Sequence, residues 1–172
     1  FIPNNLTLSP AKTASMGKQN KKIENIEQLL AIAGSNLSVL EEEVDIKFQK
    51  EYFEMARVLN KKHTDLAELS KQYVENINYL FDEATDTEVK KKMLIVLATV
   101  DDVTVYRTIE NFSKQNTPLQ KWAIIALQQS RMLLQSNLLD DPGIFISTGL
   151  GGHGLLLRYF CVFFYRTPGD LQ

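Results

Sequence analysis

Residues 85–129 read TDTEVKKKMLIVLATVDDVTVYRTIENFSKQNTPLQKWAIIALQQ, and this stretch decides the fold. Placing Thr87 over Thr117 brings Val89 onto Leu119, Lys90 onto Gln120, Lys91 onto Lys121, Met93 onto Ala123, Val96 onto Ala126 and Leu97 onto Leu127, an offset of 30 residues. Each copy opens on a helix-start signal. Thr85 or Asp86 precedes the first, and Thr117-Pro118 precedes the second, where proline at the first helical position forfeits no hydrogen bond. Between them Asp101-Asp102 breaks one helix and caps another that carries Tyr106, Ile109 and Phe112 on one side. The repeating unit is therefore a helical hairpin, with its second long helix running to about Leu138.

Upstream, the same three-to-four spacing continues. Leu66, Leu69, Tyr73, Ile77, Leu80 and Phe81 predict one helix behind Thr64 or Asp65. Leu40, Val44, Phe48, Tyr52, Met55 and Leu59 predict a longer one, opened by the capping box of Ser38 with Glu41 and ending near Asn60. Ile23, Ile26, Leu29, Leu30 and Ala33 predict a short first helix that Gly34-Ser35 stops. Before it, residues 1–22 hold four lysines and no acid, and read as a flexible basic leader.

Downstream of the stop Asp140-Asp141-Pro142-Gly143 the pattern changes. Ile144–Thr148 and Leu155–Tyr165 are rich in branched and aromatic residues and flank a glycine-rich turn, which predicts a β-hairpin. The expected organisation is a leader (1–22), a helical domain (23–141), and a Gly-turn hairpin with its tail (142–172) packed on the helices.

The repeat resembles a HEAT-like repeat, whose inner helix typically reads Asp-x-x-Val-Arg-x-x-Ala-x-x-Ala-Leu. Asp86, Val89, Lys90, Met93, Val96 and Leu97 match it in one copy; Leu119, Gln120, Ala123, Ala126 and Leu127 match in the other. The resemblance covers about residues 85–135. Met93 and Val96 stand where the family has small alanines, and Gln120 where it has a basic residue. It implies a mainly α fold, a short HEAT-like α-solenoid, with an irregular helical bundle as the other architecture and a C-terminal β-hairpin in either case.

Composition sets outer limits on function. The 172 residues carry 19 Lys+Arg against 21 Asp+Glu, a net charge of −2, which disfavours a protein whose affinity rests on a phosphate backbone. Cys161 is the only cysteine, so neither a disulfide framework nor a cysteine-rich zinc site exists. Residues 1–10 lack the apolar core of a secretory signal, and eighteen apolar residues never run together, so no membrane contact is expected and the cytoplasm is the expected location.

Candidate chemistry is sparse. Thr148-Gly149-Leu150-Gly151-Gly152-His153-Gly154 invites a phosphate-loop reading, but a strand-like run follows where a dinucleotide site needs a helix N-terminus. His63 and His153 are the only histidines and stand far apart in the chain. Lys90, Lys91, Lys92 and Lys121 suggest a basic strip like that of DNA-binding HEAT-like proteins, yet three consecutive lysines cannot share one helix face. The paired acids Asp82-Glu83, Asp101-Asp102 and Asp140-Asp141 sit at helix boundaries and read as caps. Trp122 reads as packed between helices.

No catalytic, metal or cofactor residue is assigned. The strand Tyr159-Phe160-Cys161-Val162-Phe163-Phe164-Tyr165 has no polar alternate face, so it is expected to be covered on both sides. Tyr159, Phe160, Phe163, Phe164 and Tyr165 are the expected partner-binding residues. The reading is a non-enzymatic interaction or scaffold module that binds another protein or itself through this strand and its stacked helices. The alternatives are a small nucleotide- or phosphate-binding enzyme using Gly149–Gly154 and, more distantly, a HEAT-like DNA-binding protein.

Overall fold

The computed structural model describes residues 37–62, 66–139 and 144–161. The expected leader, the helix from Ile23, the signals at Thr64-Asp65 and residues 140–143, and Phe163, Phe164 and Tyr165 lie outside them. The described part is mainly helical. Strand β1 (Leu37–Val39) leads to α1 (Ile46–Lys62), α2 (Leu66–Glu75), a 3₁₀ turn (Ile77–Leu80), α3 (Thr87–Leu97), α4 (Val103–Ser113) and α5 (Gln120–Leu139). Three short strands follow: β2 (Ile144–Ile146), β3 (Gly152–His153) and β4 (Leu156–Leu157).

Helix α5 is the centre of the packing, meeting α1, α3 and α4. Its Trp122 is fully buried, with ring centroids 5.3 Å from Tyr52 of α1 and Lys91 Nζ of α3 4.9 Å above the indole. Around it Leu94, Leu97, Ile109, Phe112, Ile125 and Ala126 form one apolar core. Tyr52 is wholly enclosed, so its hydroxyl needs an acceptor, which Gln129 Oε1 supplies at 2.9 Å. Burial pushes that phenol well above its ordinary pKa.

The caps expected at two helix starts form. Asp86 accepts from the N–H of Glu88 and Val89, and Asp102 from those of Thr104 and Val105, so orphan donors of α3 and α4 are satisfied by carboxylates at the positive end of the dipole. The third start differs. Helix α5 begins at Gln120, after a turn in which Gln120 N–H donates to the Thr117 carbonyl, while Thr117 Oγ1 is buried without a hydrogen-bond partner. Pro118 thus sits in the entry turn rather than at the first helical position.

Three further expectations are corrected. Ser38 caps no helix: it lies in β1, which pairs in parallel with β2 in the register Leu37↔Ile144, Ser38↔Phe145, Val39↔Ile146, and α1 starts only at Ile46. Phe48, expected inward, is 42% exposed, and its neighbour Gln49 is buried instead, while Leu40, Val44, Tyr52 and Leu59 of the expected stripe are buried. The segment 66–81 is not one helix; α2 ends at Glu75 and tightens into the 3₁₀ turn, where Leu80 is buried.

The hairpin is also rearranged. Ile144–Ile146 pairs with β1 instead of Leu155–Tyr165, because Val39, Phe145 and Ile146 together close the core beside Phe53. Only Gly152↔Leu157 and His153↔Leu156 form an antiparallel hairpin.

The aligned positions differ in burial. Met93, Val96, Ala123 and Ala126 are all buried, whereas Leu97 is fully buried and Leu127 only partly. Leu97→Ala is expected to cost about 2–5 kcal/mol in urea denaturation, and Leu127→Ala distinctly less; Trp122→Ala is expected near 3–5 kcal/mol. Equal losses at Leu97 and Leu127 would contradict this packing.

Asp102 gives a pH expectation. Backbone donation from Thr104, then Val105, lowers its pKa below the ordinary carboxylate value. The unfolded chain therefore binds its proton more readily, so the cap's contribution is present above about pH 4 and is lost as pH falls through the lowered pKa. Asp102→Asn, which can still accept the N–H bonds, is expected to flatten that part of the acid limb in a denaturation series.

Candidate functional site

The chemistry-bearing residues gather where the glycine loop wraps over the segment before α1. Gln49, fully buried on the first turn of α1, donates through Nε2 to the Val44 carbonyl at 2.7 Å and to Ser147 Oγ at 2.9 Å. That fixes the chain leaving β2. The loop then crosses Glu41–Glu43: Gly152 N–H donates to the Glu41 carbonyl at 3.0 Å, and Gly154 N–H to Glu41 Oε1 at 3.0 Å. Arg158 ties the far side, donating from its N–H to the Gly151 carbonyl and from Nη1 to the Leu150 carbonyl. From the opposite wall Lys121 Nζ donates to the Glu43 carbonyl at 2.7 Å.

Two glycines are demanded by this geometry in different ways. Gly151 has φ +76° and presses so close that a Cβ would lie 2.3 Å from the Glu41 carbonyl oxygen. Gly154 has φ +58°, but a Cβ there meets nothing within 4 Å. The remaining loop donors turn inward: Gly149 N–H bonds Ser147 Oγ, and Leu150 N–H bonds Thr148 Oγ1. The N–H groups of Gly149, Leu150, Gly152 and Gly154 thus serve the protein's own acceptors, one of them the Glu41 carboxylate.

Beside this clamp lies a groove of about 380 Å³ between Leu40–Glu42, α4 and α5. Glu41, Glu42 and Glu110 give it acid, Lys114 and Arg131 give it base, and Leu40, Ile124 and Leu127 line its apolar part. Gln128 is buried at its edge and bonds Ser38 Oγ, so β1 is pinned to α5. Arg107 first, then Lys114, holds the Glu110 carboxyl below its usual range. Nothing in the sequence pattern groups these residues, since the segment after β1, the C-terminal end of α4 and α5 each contribute a few.

The expected site residues divide. Tyr159 and Phe160 are exposed, as are Leu155 and Leu156 at the hairpin turn; Phe163, Phe164 and Tyr165 lie outside the described residues. His153 is exposed at the turn, and His63 is outside the described residues. Lys91 does not belong to a basic strip: it bridges Glu51 of α1 at 3.0 Å and Glu88 at 2.9 Å, and hydrogen bonding to Glu88 first raises its pKa. Asp82 accepts from the Ala84 N–H, and Asp101 from Asn137 Nδ2 at 2.6 Å, so neither pair has an acid–base geometry. Among the described residues no three His, Cys, Asp or Glu side chains gather to hold a metal ion, and no helix is long and apolar enough to cross a membrane.

No family model, no curated protein and no solved structure matches the chain.

The clamp yields a paired expectation. Gly154→Ala meets only the left-handed backbone penalty, about 1–2 kcal/mol, whereas Gly151→Ala adds a backbone collision and is expected to cost more and to loosen the loop from Glu41–Glu43. Hydrogen exchange at Gly152 N–H reads this directly: protection lost in the Gly151 variant and kept in the Gly154 variant is the expected outcome.

Proposed function

We propose that the chain is a non-catalytic, cytoplasmic protein-docking module without a cofactor, built as a short HEAT-like stack and engaging a protein partner through Tyr159, Phe160, Phe163, Phe164 and Tyr165. One observation carries the reading. Tyr159 is 64% and Phe160 83% exposed at consecutive positions, flanked by the exposed Arg158 and Cys161. Four successive exposed side chains leave no face turned to the core, and large aromatic rings held in water in this way are what protein interfaces use as anchors.

The stack reading draws support from α3 and α5 packing on each other with Met93, Val96, Ala123 and Ala126 all buried. The mixed-charge groove beside Glu41 and Arg131 gives the helical surface a second place for polar contacts. The rival, a phosphate-binding site in Gly149–Gly154, is less favoured because the N–H groups of Gly149, Leu150, Gly152 and Gly154 already have acceptors. The DNA-binding rival is less favoured because Lys91 and Lys121 are spent inside the fold.

A pair of measurements on the full chain tests the proposal. Capture from a lysate is expected to retain a discrete protein that the Tyr159→Ser/Phe160→Ser double variant loses, with its melting temperature unchanged. In a thermal-shift assay ATP, GTP and NAD are expected to give no shift, although a ligand at a hundred times its Kd would add about 2.7 kcal/mol. A saturable nucleotide shift together with unchanged capture by the double variant would replace this reading with the phosphate-binding one.

A further inference from the structure

We propose that the mixed-charge groove between Leu40–Glu42, α4 and α5 takes the C-terminal arginine of a protein partner, its guanidinium held at Glu42 and its terminal carboxylate at Arg131. The site is separate from Tyr159 and Phe160 and does not depend on the docking reading above. Three observations, all on described residues, support it.

The first is a pair of open charges of opposite sign. Within the lining, Glu110 is already neutralised, bridging Arg107 at 2.8 Å and Lys114 at 3.7 Å. Glu41 spends its Oε1 on the Gly154 N–H. Glu42 and Arg131 line the same groove and make no ion pair among the described residues. The Tyr106 hydroxyl, 3.4 Å from Arg131 Nη2, steadies that guanidinium without neutralising it. One open anion and one open cation on a single cavity fit a ligand that carries both signs.

The second is spacing and size. Gln128 Nε2 meets Ser38 Oγ while Lys121 Nζ meets the Glu43 carbonyl, so residues 38–43 run antiparallel along α5. Glu42 therefore stands toward the start of α5, and Arg131 lies beyond Gln128. The helical rise from Ile124 to Arg131 sets the two charges on the order of 10 Å apart along the axis. An arginine with its own α-carboxylate bridges such a distance, a contact at each end included. The cavity of about 380 Å³ is at the small end of ligand pockets, about 300–1,000 Å³. It has room for a terminal residue and its neighbour rather than for a long strand.

The third is the lining between the charges. Leu40, Ile124 and Leu127 offer apolar surface to an arginine's methylene stem. Gln120 Nε2 donates to the Ser113 carbonyl at 3.2 Å, and Gln128, more than nine-tenths buried, donates to Ser38 Oγ. The donor end of each amide is thus turned to the protein, and its Oε1, which accepts no side-chain bond among the described residues, remains for a ligand's N–H. Acceptors at several separate places suit a guanidinium fork with five donors better than a point ammonium.

Fluorescence anisotropy with the full chain is the test. A labelled peptide ending Gly-Leu-Arg with a free carboxylate is expected to bind saturably. Its C-terminal amide and its Gly-Leu-Gln counterpart are each expected to bind about tenfold more weakly, the order of one charge-assisted hydrogen bond. Glu42→Gln is expected to erase the preference for arginine over glutamine and keep that for carboxylate over amide. Arg131→Gln is expected to do the reverse, both with an unchanged helical melt. Such crossed losses come neither from general charge attraction nor from unfolding. The Tyr159→Ser/Phe160→Ser variant is expected to bind the peptide as the wild type does, which separates this site from the docking segment. No saturable binding up to about 1 mM, equal binding of the three peptides, or preferences that neither Glu42→Gln nor Arg131→Gln alters overturns the proposal. Free arginine that binds as tightly as the peptide gives the groove to an amino acid and overturns the protein partner.

Discussion

The fold hangs on Trp122. Its indole fills the space where α1, α3 and α5 meet, flanked by the Tyr52 ring and covered by the Lys91 ammonium. A buried aromatic of this size does more than add apolar area; it sets the separation of three helices, because interiors pack at crystal-like density and tolerate no slack around it. Lys91 closes the arrangement from outside, its ammonium lying over the ring and bridging Glu51 and Glu88. One cation therefore ties α3 to α1 and shields the indole. The lysine that looked in the sequence like part of a basic strip is a structural bolt.

From this centre the glycine loop follows. With α1 held by Tyr52, its first turn presents Gln49, and Gln49 fixes both Val44 and Ser147. The loop can then only pass over Glu41–Glu43, and it passes so closely that one of its positions admits no side chain. The exposed Leu155, Leu156, Tyr159 and Phe160 thus follow a loop tied to Glu41 by Gly152 and Gly154 and to Gly151 and Leu150 by Arg158.

Local chemistry was legible in the sequence and distant pairing was not. The starts of α3 and α4 follow from Asp86 and Asp102, because a carboxylate cap needs only its next three residues. Trp122 and the apolar stripes around Leu94 and Ile109 follow from helical spacing in the same way. Ser38 with Glu41 carried an equally good local signal and failed, since Val39 and Leu40 are buried by joining Ile144–Ile146, and no neighbouring residue announces that partner. The same blindness assigned Ile144–Ile146 to a hairpin, the nearest pairing available. The aromatic composition of residues 159–165 predicted a strand covered on both faces, whereas Tyr159 and Phe160 are exposed and lie outside any strand; the groove with Arg131 arises from residues scattered through the chain, and no spacing rule collects them.

The parallel pairing of β1 with β2 also bears on how the chain reaches this state. The Gln49–Ser147 bond links residues 98 apart and the Gly154–Glu41 bond residues 113 apart. Ordering a loop of that length before the helices exist costs entropy that a three-residue strand pair cannot return, so β1 and β2 join only after α1–α5 have brought their ends together. The helices belong to the early, locally driven part of folding and the strand closure to the last. Until that closure the branched side chains of Ile144–Ile146 stand uncovered next to the aromatic segment, which makes the interval before it the period of greatest exposure to misassociation.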